Sequence, residues 1–162
     1  MGPGGVSVEA ITLLAPDVEI VRRNPDPADE TAAAQQSPGL LLRHYSPRAE
    51  VQLFEGTVAA VQAALAANAR DLRRSGKRVA LLIAEEDREP LERDGVAEFA
   101  PIIALGHLDD LDHVARTLFS GLRALDTLGV DVILARAFPA HGIGLAIYDR
   151  LLRAAEGRVR RV

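Results

Sequence analysis

Cysteine is absent from this chain of 162 residues, which excludes disulfide bonds and thiolate metal sites and fits a cytoplasmic location. Tryptophan is absent too, and aromatic residues make up only 4%, so there is no stacking platform for single-stranded nucleic acid. Long hydrophobic runs are also missing: the longest, such as Val79 to Ala84, are far shorter than a bilayer span. No charged-then-apolar leader opens the chain, so we expect neither membrane insertion nor secretion.

The chain also lacks an excess of positive charge. Its net charge of −4 argues against a protein that binds nucleic acid mainly by electrostatic attraction. The sequence does contain 48% hydrophobic and 26% charged residues, which is enough apolar surface for one folded core. The composition therefore predicts one ordinary soluble domain, and it indicates no activity.

After Pro47 the apolar pattern alternates between strand and helix. Strands are predicted at Val51 to Phe54, Arg78 to Ala84, Ala100 to Leu105 and Val130 to Ala135. Helices are predicted from Thr57 to about Ser75, with Gly76 as the stop, from Asp109 to Gly129, and from Ile143 to Ala155. The first two have predicted apolar stripes, which are Val58, Val61, Leu65, Ala69 and Leu72 in the first helix and Leu111, Val114, Leu118, Leu122 and Leu125 in the second. This alternation predicts an α/β fold, a three-layer sandwich on a Rossmann-like, mostly parallel sheet of about four strands. The basic tail, Gly157 to Val162, is predicted to be frayed.

The first 47 residues differ from the rest. They contain a predicted short helix from Val6 to Leu14, an extended stretch from Val18 to Arg22, and a linker composition from Asn24 to Ser37. Two Ser-Pro steps then bracket Ser37 to Pro47, and each proline favours extended backbone before it. We therefore predict an N-terminal arm over residues 1–47 and an α/β domain over residues 48–162.

The clearest candidate metal cluster comprises two histidines and three aspartates at the start of a predicted helix: His107, Asp109, Asp110, Asp112 and His113. Asp109, Asp112 and His113 would share one helix face and hold a cation. Acidic residues are common in the first turn of a helix, so we favour Asp109 as N-cap, with Asp110 and Asp112 complementing the positive end of the helix dipole.

Gly142 and Gly144 lie where a predicted strand turns into the last helix, as the glycines of phosphate-binding loops do. The third glycine of a dinucleotide motif is missing, because Ile147 stands at its place. A close strand-to-helix turn is the favoured interpretation, and an anion-binding loop is the alternative.

Two charged groups complete the candidates. An acidic run follows the second strand, where open α/β sheets bind ligands, and we interpret it as a solvated loop or short helix: Glu85, Glu86, Asp87 and Glu89. The arginines of the tail are interpreted as a soluble basic end, with contact to RNA phosphates as the alternative: Arg158, Arg160 and Arg161. His44 and Tyr45 stand apart, because they lie in an irregular arm where binding residues are frequent. The alternative interpretation is that Tyr45 only pins the arm against the domain.

The arm is also where the sequence resembles a known family. The pattern from Ser37-Pro-Gly through Arg43-His44-Tyr45 to Ser-Pro47 resembles the linker of the long-form threonylcarbamoyl-AMP synthases of the YrdC/Sua family. The downstream segment LFSGLRALDTLGVDVILARAFPAHGIGLAIYDRLLRAA resembles the C-terminal segment of that family, and the opening Pro-Gly-Gly-Val-Ser resembles the end of its catalytic domain. Tyr148-Asp149 departs from the Met-Asn that the family more often has.

The resemblance implies an accessory domain whose catalytic, YrdC-like partner domain lies outside this chain, in cis or in trans. That partner would join threonine, bicarbonate and ATP, with magnesium, into threonylcarbamoyl-AMP and pyrophosphate for tRNA modification. No cofactor is then expected in this chain alone, and it is expected to be inactive by itself. The resemblance places the contacts with the nucleotide site on the arm, at Ser37, Gly39, Arg43, His44 and Tyr45.

Two other functions stay open at this stage. One is a stand-alone sensor of a nucleotide or small molecule at the carboxyl edge of the sheet, using Gly142 and Gly144. The other is a structural or tRNA-docking module, to which the net charge of −4 is a mild objection.

Overall fold

The structure is a computed structural model that describes residues 46–162. Five strands and four helices alternate along this part of the chain: β1 (Glu50–Glu55), α1 (Val58–Arg74), β2 (Val79–Ile83), α2 (Glu85–Arg93), β3 (Ile102–Ala104), α3 (Leu111–Thr127), β4 (Val132–Arg136), α4 (Gly144–Ala154) and β5 (Val159–Arg161). A 3-10 turn, Val96–Glu98, joins α2 to β3. The predictions for the arm before residue 46 lie outside the described residues.

The strands form one sheet in the order β3-β2-β4-β1-β5, and all four pairings are parallel. Every residue of the central strands β2 and β4 is buried, which agrees with their near-continuous apolar sequences. Successive side chains point to opposite faces, so Leu81 and Leu82 enter two different cores.

Helices cover both faces of this sheet and make the predicted three-layer α/β sandwich. Buried residues of α1 and α2 pack on one face, among them Val61, Leu65 and Leu91. The other face is covered by α3 and α4, and the whole predicted stripe of α3 is buried there: Leu111, Val114, Leu118, Leu122 and Leu125. The stripe predicted for α1 is wrong at Val58, which is 42% exposed in the first turn of that helix.

The predicted helix boundaries rest on local signals that the structure contains. Thr57 precedes α1, and its Oγ1 accepts a hydrogen bond from the backbone N–H of Ala60 at 3.3 Å. Gly76 and Gly129, which end α1 and α3 in the prediction, have φ values of +80° and +65° that favour glycine. Local backbone geometry at these residues therefore marks the start of α1 and the carboxyl ends of α1 and α3.

The tail forms a fifth strand, so the prediction of a frayed end was wrong, and the sheet has one strand more than the about four that were predicted. β5 lies beside β1, where the N–H of Leu53 donates to the Arg158 carbonyl at 3.0 Å and that of Val162 to the Glu55 carbonyl at 2.9 Å. The apolar pattern did not predict this strand, because an edge strand can consist largely of charged residues. Its partner strand is also remote in sequence.

The carboxyl end of β4 lies at the middle of the sheet. Its neighbours β1 and β2 lead into α1 and α2 on one face, whereas β4 leads into α4 on the other face. In open α/β sheets, ligands bind in the crevice where adjacent connections leave to opposite faces. No helix among residues 46–162 is long and apolar enough to span a membrane.

Candidate functional site

A buried ion pair occupies the crevice at the carboxyl end of β4. Arg136 is the last residue of β4, and Asp87 lies in the first turn of α2, which follows β2. The Arg136 Nε is 2.6 Å from the Asp87 Oδ2, and the two residues are 3% and 0% exposed. They are the only charged side chains buried among the described residues, so the pair marks this crevice as the place where the fold concentrates charge.

Asp87 collects donors from three elements. The backbone N–H of Ala84, the residue before α2, donates to Oδ2 at 3.1 Å, and Gln62 Nε2 of α1 donates to Oδ1 at 3.2 Å. Gln62 also donates to the Glu86 carbonyl at 3.0 Å. Asp87 therefore ties α1, α2 and β4 together at one carboxylate.

Burial raises the pKa of the Asp87 carboxyl, because a buried anion loses its hydration. The positive charge of Arg136 and the hydrogen bonds from Ala84 and Gln62 act in the opposite direction and offset part of this effect. The carboxylate is thus held by strong partners in a place where its charge is costly.

Arg136 uses only part of its hydrogen-bonding capacity. Its Nη2 is buried and has no hydrogen-bond partner among residues 46–162. The Nε contact to Asp87 is short, but its angle falls outside that of a regular hydrogen bond. A buried donor without a partner costs about 1–3 kcal/mol, so such a group calls for a physical explanation.

The acidic run that surrounds Asp87 was predicted to be a solvated loop or short helix. It is a helix, but the prediction of a solvated side chain is wrong for Asp87. The run forms the first turns of α2, where Glu85 and Glu89 make ion pairs with Arg88 and Arg93 on the surface. Asp87 is instead fully buried, because the turn of the helix directs it toward β4.

Glu86 joins the same edge of the sheet to β3. Its Oε1 accepts from the Leu108 backbone N–H at 3.1 Å and lies 3.4 Å from His107 Nδ1. His107 is exposed, so this contact lies at the rim of the crevice.

The proposed N-cap Asp109 was off by one residue. Asp110 precedes α3 and accepts from the His113 backbone N–H at 3.1 Å, which leaves Asp109 outside the helix. Asp109 therefore does not share a helix face with Asp112 and His113. Among residues 46–162, no three His, Asp or Glu side chains are placed to hold a metal ion.

Gly142 and Gly144 lie in the predicted turn between β4 and α4. Gly142 has φ +53° and open space around it, whereas a Cβ on Gly144 would lie 1.9 Å from the Pro139 carbonyl oxygen. The backbone N–H groups of Gly144 and Ala146 already donate to carbonyls within the turn, at 2.8 Å and 3.0 Å. This geometry favours the tight turn, and the anion-binding loop stays a prediction.

The remaining candidates divide into two groups. The arm residues Ser37, Gly39, Arg43, His44 and Tyr45 lie outside the described residues. The tail arginines have partners within the domain, since Arg158 pairs with Glu156, Arg160 donates to Asn68 Oδ1, and Arg161 pairs with Glu55.

Arg136 and Gln62 were not among the sequence candidates. The available signal was an arginine directly after the apolar run VILA, at the end of a strand predicted to be buried on both faces. A charged residue in that place needs a partner, and the acidic run after β2 offered one.

The similarity of this chain to known proteins covers nearly its whole length and not this site alone. Residues 6–156 match the family model of the threonylcarbamoyl-AMP synthase C-terminal domain. The chain is 32% identical to the threonylcarbamoyl-AMP synthase of Bacillus subtilis over 157 residues, which cover 97% of this chain and 41% of that protein. It is 31% identical to the one of Pyrococcus abyssi, with coverages of 99% and 43%. The chain thus spans about two fifths of the length of these relatives.

Solved structures agree with the sequence matches. The P. abyssi Sua5 protein in complex with L-threonine has a TM-score of 0.61 and 32% identity, covering 74% of this chain and 32% of that one. A P. abyssi Sua5 variant in which a consecutive histidine and tyrosine are both replaced by alanine has a TM-score of 0.58 and 30% identity, with coverages of 72% and 30%. The C-terminal Sua5 domain of a Pyrococcus horikoshii protein has a TM-score of 0.54 and 28% identity, and 72% of this chain covers all of it.

Proposed function

The chain belongs to the family of threonylcarbamoyl-AMP synthase C-terminal domains, and from that premise we propose that it serves as the accessory region of such an enzyme. The catalytic reaction would take place on a YrdC-like domain, joined in cis or supplied in trans. That domain would convert threonine, bicarbonate and ATP, with magnesium, into threonylcarbamoyl-AMP and pyrophosphate. This reaction would take place in the cytoplasm and would serve tRNA modification.

One observation carries the proposal. The family match runs over residues 6–156, so it includes both the arm and the α/β domain, while the relatives are more than twice as long as this chain. This match supports an accessory role, because the matching family model describes the C-terminal domain of these longer enzymes.

Within the arm, His44 and Tyr45 are the proposed contacts with the nucleotide site, and Ser37, Gly39 and Arg43 would shape the segment around them. This chain has one adjacent His-Tyr pair. An adjacent pair of the same two residues was replaced in the solved P. abyssi variant, which makes the pair the first to test.

The physical benefit of such an arm is exclusion of water. Threonylcarbamoyl-AMP is an activated acyl phosphate that water hydrolyses, and a segment that covers the site protects it. A histidine and a tyrosine suit this role, because both present an apolar ring and a polar tip to the bound nucleotide.

A chimera tests the proposal. This chain would replace the C-terminal two fifths of the B. subtilis relative, and threonine-dependent pyrophosphate release would be measured. We expect an active chimera whose rate falls at least about tenfold in His44→Ala or Tyr45→Phe, a loss of roughly 1.4 kcal/mol in transition-state stabilisation.

Gln35→Ala is the matched control, because it lies in the same arm before the Ser-Pro-Gly segment, and its rate should equal that of the unmodified chimera. Far-UV circular dichroism would show that all variants keep the α/β domain. Unchanged rates in both His44→Ala and Tyr45→Phe would reject the assigned role of the arm.

A further inference from the structure

The crevice at the end of β4 has the position and the chemistry of a ligand site. It lies where the connections after β1 and β2 leave to one face and the connection after β4 leaves to the other. A nearly fully buried arginine, Arg136, stands at this point. In other folds of this class, the corresponding crevice receives an external anion beside helix N-termini.

Here the crevice already contains a carboxylate, that of Asp87. It is held as an external oxyanion would be, by a guanidinium at 2.6 Å, by the backbone N–H of Ala84 at 3.1 Å, and by the amide of Gln62 at 3.2 Å. Arginine, a helix N-terminus and a side-chain amide are the donor types that recognise carboxylates and phosphates. The carboxylate comes from the chain itself, because Asp87 projects from the first turn of α2.

The arginine fork is only half used. Nε and Nη2 lie on the same edge of the planar guanidinium, and a free carboxylate engages both of them with its two oxygens. The two Asp87 oxygens are divided, since Oδ2 meets Nε while Oδ1 turns to Gln62. Nη2 is therefore left without a hydrogen-bond partner within residues 46–162. Asp87 projects from α2 with only one oxygen toward the fork, because the other accepts from Gln62.

We propose that this crevice is a built carboxylate-binding site that Asp87 occupies as an internal ligand. The ligand class is a small carboxylate, and the groups that bind it are Arg136, the Ala84 N–H and Gln62. In the folded chain the Asp87 side chain fills the site, so an external carboxylate can bind there only when that side chain is removed. This inference is independent of the proposed function.

Removal of the internal ligand tests the site. Asp87→Ala deletes the carboxylate group and leaves space for formate beside Arg136. The full chain carrying this substitution would be unfolded with urea in increasing sodium formate, with sodium chloride keeping the ionic strength constant. We expect a saturable stabilisation. At a formate concentration of about ten times its dissociation constant, the unfolding equilibrium constant should fall about 11-fold.

Two controls separate this effect from general salt effects. Glu89→Ala removes an exposed carboxylate from the same helix and should show no difference between formate and chloride. Asp87→Ala combined with Arg136→Met lacks the guanidinium and should lose the response to formate. An equal formate effect in either control would overturn the proposal.

A second pair of ligand and variant keeps the test decisive if the Asp87→Ala variant does not fold. Asp87→Gly deletes the whole side chain, so acetate replaces the missing group in the same way that formate does for alanine. If Asp87→Ala folds only when formate is present, the proposal is supported. If neither formate with Asp87→Ala nor acetate with Asp87→Gly gives more folded protein than chloride does, Asp87 is not a replaceable ligand and the proposal is wrong.

Discussion

Replacement of Arg136 by methionine removes the charge of the buried pair while keeping most of the side-chain volume. The Arg136 Nε and the Asp87 Oδ2 are 2.6 Å apart, and two unit charges at that distance attract by about 6 kcal/mol at an effective dielectric constant of about 20. Desolvation of both groups consumes much of this energy, so the intact pair contributes little net stability. The situation changes when one partner is removed.

Arg136→Met leaves Asp87 buried with the Ala84 and Gln62 hydrogen bonds and no compensating charge. We expect a loss of about 3–5 kcal/mol in the free energy of unfolding, and a similar loss for Asp87→Ala. The double variant has neither charge, so its loss should be smaller than the sum by about 3 kcal/mol.

Urea unfolding followed by far-UV circular dichroism measures these values, which suits a chain without tryptophan. At a slope of about 2 kcal/mol per M, each single variant should lower the urea midpoint by about 2 M. The exposed pair Arg93–Glu89 serves as the control cycle, and its coupling should be at most about 0.5 kcal/mol despite a distance of 2.8 Å. A coupling in the Asp87–Arg136 cycle as small as that of the control would refute the reasoning.

Three further predictions concern the rest of the domain. Gly144→Ala places a Cβ against the backbone and should lower the free energy of unfolding by about 1–3 kcal/mol more than Gly142→Ala, where space is open and only the positive φ is strained. Urea unfolding midpoints compare the two variants, and equal losses would contradict tight packing at this turn. The Arg78 side chain lowers the pKa of Asp131, so this carboxylate stabilises the fold above its unfolded pKa and loses that effect as the pH falls through its folded pKa. Asp131→Asn should therefore flatten the acid side of the stability profile, and an unchanged profile would show that the contact has no effect. The amide of Val162, bonded within the sheet, should exchange hydrogen more slowly than a free tail; exchange at the intrinsic rate would mean that β5 does not form in solution.

Local patterns in the sequence were sufficient for most of the architecture. The apolar stripe of α3 and the continuous apolar runs of β2 and β4 predicted buried elements, because a periodic pattern specifies which side of an element is covered. Thr57 and Gly76 marked helix ends, since caps act within one turn of the backbone. These predictions needed no knowledge of the rest of the chain.

Predictions failed where the outcome depended on a distant partner. β5 escaped prediction because its place is set by the open edge of β1, about a hundred residues earlier in the chain, rather than by an apolar pattern of its own. Asp110 in place of Asp109 is a smaller error of the same kind, since either aspartate satisfies the local rule for an N-cap and the backbone path after β3 selects one of them.

The candidate functional residues show the same contrast between signals in consecutive residues and contacts with distant partners. The arm motif around His44 and Tyr45 is a signature in consecutive residues, so the sequence alone led to the family, and the match over residues 6–156 agrees with it. The pairing of Asp87 with Arg136 has no such signature. Asp87 lies in α2 among similar acidic residues that stay at the surface, and Arg136 lies at the end of β4, far away in the sequence.

The alternation of strands and helices, most helix ends and the family could be predicted from the sequence, because these depend on residues close together in the chain. Which strand edges are paired and which carboxylate of α2 is buried became clear only from the three-dimensional fold. Burial and ion pairing depend on the three-dimensional environment, which β2, β4 and α1 create together at the carboxyl edge of the sheet.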